Sequence, residues 1–506
     1  MKKKLFLNSF SGTALYVVNV VIMFIMSPVI IRALGNRDYG LWELVMSIIG
    51  YMGLLDLGIG PALVRFVSVA DGKEDRNDLQ QTISTAFAFF LGVGCVALLL
   101  FSAIGCSPGV IAGKETKDIA KLGTVFLLLG IDAAMLFPMQ VFITALMGLQ
   151  RHYFINSVRG GMAITRAVLT YNLLQLYPGK GLIVIAFLEP IFNFVQFMLM
   201  AGAVYCDKKV PRMALSAVSR SKMKELLTFG AKSATMMVAS RLQNQSVPFI
   251  ISHVIGLGHI IYFVLPNRLV DYAKGVSQAI GFPLVPYFGA SIGRGDQKEL
   301  LKSWFATTLA LQFVSLAMPL VIFFYGEIFL GLWIGHEYAA AGHWVIYILL
   351  VGLIADSLAS NSSRILTAQS RHGRCAAVWL FLSAASIPIG IWGAMMWRVP
   401  GVALGTTFVT VAGNLITMYL ACSVMEISLT TYFRETVLPL SVPLLSLACL
   451  MWLMSSFIPV KNYLALLAQL IVAGCVYCLG VWRFTLSADM RKHLYDRLNR
   501  RIAPQE

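Results

Sequence analysis

The stretch 261–290, IYFVLPNRLVDYAKGVSQAIGFPLVPYFGA, is apolar and long enough to cross a bilayer, yet it carries Arg268, Asp271 and Lys274 within two helical turns. A charge at the bilayer centre costs roughly 3 kcal/mol on insertion scales, so three on one helix require compensation. Arg268 and Asp271 stand at i, i+3 and can meet on one helix face. Pro266, Pro283 and Pro286 can break the helix, which a membrane tolerates only where neighbours or a cavity satisfy the freed carbonyls. Such a stretch either lines a wet, cationic path or holds a buried ion pair between helices.

Other apolar runs repeat the feature, which favours the path. Arg166, Arg241, Arg268 and Lys274, with Asp56, Asp132, Glu189, Asp271 and Asp356, lie too deep to reach the headgroups. Arg65, Arg159, Lys232 and Arg364 lie within about two turns of the ends assigned to the cytoplasm, and Arg32 near an outer end, where snorkelling suffices. Arg159 and Arg166 share a face, Arg241 aligns with Asn244 and Gln245, and Asp356 aligns with Ser360 and Ser363. Several guanidinium groups around one hollow suit a phosphate or pyrophosphate, because each offers paired donors to its oxygens. Arg268, Lys274, Arg241, Arg166, Arg65 and Arg159 are the candidates for that role. The acids Asp56, Asp132, Asp271, Asp356 and Glu189 either neutralise a neighbouring base or take up Na⁺ or H⁺ to couple transport to a gradient. No cofactor beyond such an ion is expected. No H-E-x-x-H, P-loop or nucleophile elbow occurs, so neither an enzyme nor a metal site is expected.

The elements that must position these side chains are membrane helices. Of 506 residues, 58% are hydrophobic and 13% charged, against about 25% charged in soluble domains. Fourteen apolar runs, at about 9–34, 40–69, 81–106, 119–148, 154–177, 181–205, 226–254, 260–290, 303–328, 340–368, 375–397, 400–423, 436–457 and 461–484, predict fourteen spans. Lys2, Lys3 and Lys4 precede a run too long for a cleaved signal, which predicts an uncleaved first span. Loops placed in the cytoplasm, with both tails, hold about 24 of the 40 Lys and Arg and the opposite loops about 7, so both termini are expected in the cytoplasm. The net charge of +16 then faces anionic lipid; no soluble stretch is long enough to read nucleic acid. The basic connection after span six, SAVSRSKMKELLTF, could form a surface amphipathic helix. Cys475 and Cys478 read as small apolar residues of a span. His336 and His343 flank an outer loop with Glu337 and give no metal spacing.

Features recur at an offset near 220. Phe10 falls on Phe229, Pro28 on Pro248, Pro61 on Pro283, Arg151-His152 on Arg371-His372, and the loop DGKEDRNDLQQ on GRGDQKELLKS. This predicts an N-lobe at 1–205, a cytoplasmic linker at 206–225, a C-lobe at 226–423, an appended helix pair at 424–484 and a basic tail at 485–506, with a cleft between the lobes.

Ser27-Pro28, ALGNRDYGLWELV at 33–45 and GLLDLGIGPALVRFVS at 53–68 resemble the polysaccharide transporter family, which includes O-antigen (Wzx-type) flippases. That family lies within the multidrug/oligosaccharidyl-lipid/polysaccharide exporter superfamily, together with the lipid II flippases. The resemblance implies a V-shaped, all-α transporter of the bacterial inner membrane working by alternating access. Its substrate would be an oligosaccharide on undecaprenyl pyrophosphate, and its neighbours membrane lipids and polysaccharide-assembly proteins. It also implies a role for basic residues of spans two and eight, occupied here by Arg65 and Arg268. The alternatives are a multidrug exporter, which nine intramembrane bases disfavour, and a membrane glycan polymerase or ligase, for which the outer loops are too short.

Overall fold

In the computed structural model, residues 2–107, 119–207, 210–281, 284–293, 296–371 and 373–485 are described. Pro283, His372, the tail after 485 and the side chains of Lys232 and Pro286 lie outside the described residues. The described chain is helical. In order come α1 (Lys2–Met52), α2 (Ile59–Gly72), α3 (Arg76–Cys106), α4 (Ile119–Gly148), α5 (His152–Leu176), α6 (Gly181–Tyr205) and α7 (Arg220–Val254). There follow α8 (Ile261–Gly281), α9 (Leu284–Gly293), α10 (Gln297–Ser315), α11 (Ala317–Trp333), α12 (His336–Leu358), α13 (Ser362–Ala368), α14 (Gly373–Val424), α15 (Leu429–Thr436), α16 (Ser441–Phe457) and α17 (Tyr463–Gly480).

Among the described residues, nine helices are long and apolar enough to cross a membrane. Two of them, at 47 and 52 residues, are long enough for two crossings each at 1.5 Å per residue. These supply eleven of the expected crossings, and the other three expected spans, 154–177, 226–254 and 260–290, fall on α5, on α7 and on α8 with α9 where the chain is described. Their apolar surface points outward: Leu99, Phe381, Leu445 and Leu464 are 69 to 77% exposed, as a bilayer solvent permits. Spans one and two are joined without the expected loop. The break is instead Gly35, whose φ of 70° no other residue type adopts as readily. Arg398 (φ 53°), just before Pro400, breaks α14 in the same way. The segment read as a separate surface helix is instead the start of α7. The Ser219 side chain accepts from Lys222 N at 3.4 Å, and the helix then runs on to Val254.

By their contacts, residues Met1–Ile261 and Ile387–Val402 form one compact unit and Tyr262–Ser386 with Ala403–Glu506 a second. The first unit's core gathers Leu63, Phe90, Phe142, Met200 and Leu226 from α2, α3, α4, α6 and α7. In the second, Phe288, Trp304, Ile365 and Tyr432 form one core, and Tyr325, Leu447, Met451 and Tyr477 another that seats α16 and α17. Tyr325 donates to Gln469 at 2.8 Å and Tyr477 to the Phe313 carbonyl at 2.8 Å, which fixes the C-terminal pair.

The 220-residue repeat reappears as local geometry. Gln150 (φ 60°) and Ser370 (φ 57°) occupy the same left-handed turn position, and Arg151 N to Leu146 O and Arg371 N to Leu366 O are both 2.9 Å. Asp75 and Asp296 each cap the following helix through the amide three residues on.

At the head of α7, Lys222 Nζ bridges Asp78 of α3 (2.6 Å) and Glu225 (2.8 Å) beneath the Phe66 ring. Burial pushes its ammonium toward neutrality. The hydrogen bonds and charges of the two carboxylates outweigh this, so its pKa lies above the ordinary 10.5. A raised value means the bridge contributes fully below the unfolded lysine pKa and is lost only as pH climbs through the folded one. Lys222→Met should therefore lower stability by about 2 kcal/mol, between exposed and buried pairs. Thermal melts in detergent should show that deficit unchanged from pH 6 to 9 and shrinking above about pH 10.5.

Candidate functional site

The intramembrane charges resolve into distinct groups, each with its own balance. In the second unit, α8 carries Arg268, Asp271 and Lys274 on successive turns. Asp271 lies in the field of Lys274 and Arg268, and Asn267 Nδ2 donates to its Oδ2 at 2.8 Å. Asp356 of α12 lies in the field of the same Lys274 and of Arg364, with a hydrogen bond from Asn414 of α14. Arg364 departs from its expected snorkelling. The helix breaks between α12 and α13, and the guanidinium turns back to donate to the Ser360 carbonyl and lie against Gly281 of α8. A Cβ on Gly281 would overlap that guanidinium, so the glycine makes the space. Three bases and two carboxylates thus share one electrostatic neighbourhood across α8, α12 and α13. The surplus of one positive charge is half-buried among helices, where its field is only partly screened. Such a group attracts an anion and offers it several N–H donors.

The first unit divides its charges differently. Arg166 Nη1 meets Glu189 Oε2 at 2.6 Å, and Asn193 Nδ2 donates to Asp132 Oδ1 at 2.6 Å, with Asp132 in the field of both charged partners. Two acids and one base give this group, on α4, α5 and α6, a surplus negative charge; it suits a cation or a proton. Arg241 of α7 faces Asp56, and a Cβ on Gly53 would meet its Nη2 at 3.2 Å. Asp56 also accepts from Gly60 N at 2.8 Å at the start of α2, which explains the Asp-Leu-Gly-Ile-Gly motif: the acid caps the helix that the glycines let begin. Among the described residues Arg65 meets no carboxylate, and it stands over the Phe229 ring at 4.6 Å and the Phe66 ring at 5.7 Å. Arg159, half-buried on α5, has no acidic partner among the described residues. Arg166 and Arg159 share a helix but not a partner.

Several contributors were not legible in the sequence reading. Asn193 and Asn414 serve as amide partners of carboxylates from other helices. His343 pairs with Glu327 Oε2 at 2.7 Å. Arg32, with Tyr171, Gln175 and Tyr177, lines a cavity of about 500 Å³ between α1, just before its Gly35 break, and the C-terminal end of α5. A polar residue three or four positions from a carboxylate is visible in a sequence; a partner sixty positions away is not.

Residues 5–291 match the family described as polysaccharide biosynthesis protein. A putative O-antigen transporter of Shigella flexneri is 21% identical over 337 residues, covering 65% of this chain and 76% of that one. Among solved structures, the lipid II flippase MurJ in an inward closed conformation superimposes with a TM-score of 0.71 at 13% identity, over 95% of this chain and 98% of that one. An inward-facing multidrug resistance MATE family transporter of the MOP superfamily gives 0.67 at 13% identity, over 79% and 93%.

Proposed function

The chain belongs to the polysaccharide biosynthesis protein family, and from that premise we propose that it is a flippase for an oligosaccharide carried on a polyprenyl pyrophosphate. The observation that carries this reading is the net-positive group formed by Arg268, Lys274, Arg364, Asp271 and Asp356 on α8, α12 and α13. A pyrophosphate is the charged part of such a lipid. Arg268 and Lys274 offer it donors at membrane depth, where water competes poorly. Arg65 and Arg159, the bases of the first unit without carboxylates, serve as further contacts; Arg166 and Arg241 act through the acids they face. Glu189 and Asp132 are the acids placed to couple the cycle to Na⁺ or H⁺. The protein is a multi-pass membrane protein, and on this reading it sits in the bacterial inner membrane with both termini in the cytoplasm, exporting a surface-polysaccharide repeat unit by alternating access.

The test is transport itself. Purified protein in proteoliposomes, given a polyprenyl-pyrophosphate oligosaccharide in the inner leaflet, should expose the sugar to an external lectin in minutes. Protein-free vesicle controls need hours because a glycan headgroup does not cross hydrocarbon. Equal rates with and without protein would remove the reading. Efflux of organic cations, with no glycan exposure, would replace it with the multidrug function.

A further inference from the structure

We propose that the cavity beside Arg371 and Arg374, at the ends of α13 and α14, is a binding site for the phosphate headgroup of an anionic phospholipid, separate from the transported substrate. The site is a cavity of about 440 Å³ lined by Arg371, Arg374, Leu366, Leu420, Ser423 and Val424. Both arginines are exposed, and among the described residues neither makes an ion pair. Arg374 also stands in the first turn of α14, where a positive charge opposes the helix dipole and no acidic residue offsets it.

The repeat supplies the comparison. At the matching turn in the first unit, Arg151 is closed by a salt bridge to buried Asp207. There Asn8 donates to the Gln150 carbonyl at 3.2 Å and accepts from Tyr153 N at 3.0 Å, completing the helix start. Phe154 stands at the position 220 residues before Arg374. In the second unit the turn after α14 places Glu426 where Asp207 would be, but Glu426 is exposed, with φ 56°, and makes no ion pair among the described residues. The same backbone turn is thus neutralised in one copy and left doubly cationic beside a hollow in the other.

The walls select the occupant. Leu366, Leu420 and Val424 are apolar and lie at helix ends, where headgroup and acyl chain meet. Two guanidinium groups match phosphate oxygens, and the apolar wall matches the first methylenes of a lipid tail. Free phosphate would use only the first of these features.

Native mass spectrometry of the purified chain with dioleoyl phosphatidylglycerol tests this. Wild type should retain the lipid, and R371Q/R374Q should bind it at least fivefold more weakly, with R371K/R374K intermediate and phosphatidylcholine indifferent to all three. Unchanged retention by R371Q/R374Q overturns the proposal. So does protection of the site by inorganic pyrophosphate with no phosphatidylglycerol retained, which would assign it to free phosphate. Should the Gln variant not fold, a phosphatidylglycerol with a photoreactive headgroup should crosslink wild type within 366–374 or 420–424; crosslinks confined elsewhere overturn the site.

Discussion

Arg268→Ala should abolish surface-glycan export while leaving the amount of protein in the membrane unchanged. Arg268 is one of three bases that give the α8–α12–α13 group its positive surplus, and its loss makes that group neutral. Truncating one partner of a desolvated charge pair costs about 2–5 kcal/mol, so transport should fall on the order of 30- to 4,000-fold. Folding should survive. Asp271 keeps Lys274 beside it and the amide of Asn267 at 2.8 Å, so that carboxylate is not stranded. Arg268→Lys should retain part of the activity, because an ammonium keeps the charge but loses the paired donors. Glycan on the cell surface, measured against protein level by immunoblot, reads both. Full export by Arg268→Ala would take the residue out of the mechanism.

Gly58→Val should remove most of the folded protein. Gly58 has φ 77°, and a Cβ built there would overlap the backbone of Gly230, while one on Gly230 would meet Leu57 O at 2.7 Å. Two helix segments, the start of α2 and the body of α7, approach through glycine alone. Neither backbone can yield as a flexible side chain could. Left-handed strain and the overlap together should cost about 3 kcal/mol or more. Gly72→Ala is the control: it sits near the end of α2 with nothing within 4 Å of a Cβ, and should stay within about 0.5 kcal/mol. Yield and melting temperature in detergent distinguish the two. A Gly58→Val protein as stable as Gly72→Ala would mean α2 and α7 do not touch there.

The same glycines show how far a sequence can be read. The run GLLDLGIGP is legible as a motif, but its physical content is a cap: Asp56 accepts from Gly60 N at 2.8 Å while Gly58 turns the chain and lets α7 approach. Arg364 shows the opposite limit. Its distance from the span end predicts snorkelling, whereas the helix break after Leu358 and the missing side chain of Gly281 bring it back toward Asp356.

Hydrophobic run length determines a multi-pass helical membrane protein, because a bilayer leaves the backbone almost no other arrangement. Which base meets which carboxylate is set by contacts between helices far apart in the chain. Arg166 is neutralised because α5 and α6 place Glu189 against it; Arg159, seven residues earlier on the same helix, is not. Spacing along one helix fixes only the face on which a charge stands. Only packing decides what stands opposite, and at low dielectric the opposing group decides whether that charge is spent on the fold or left for a ligand.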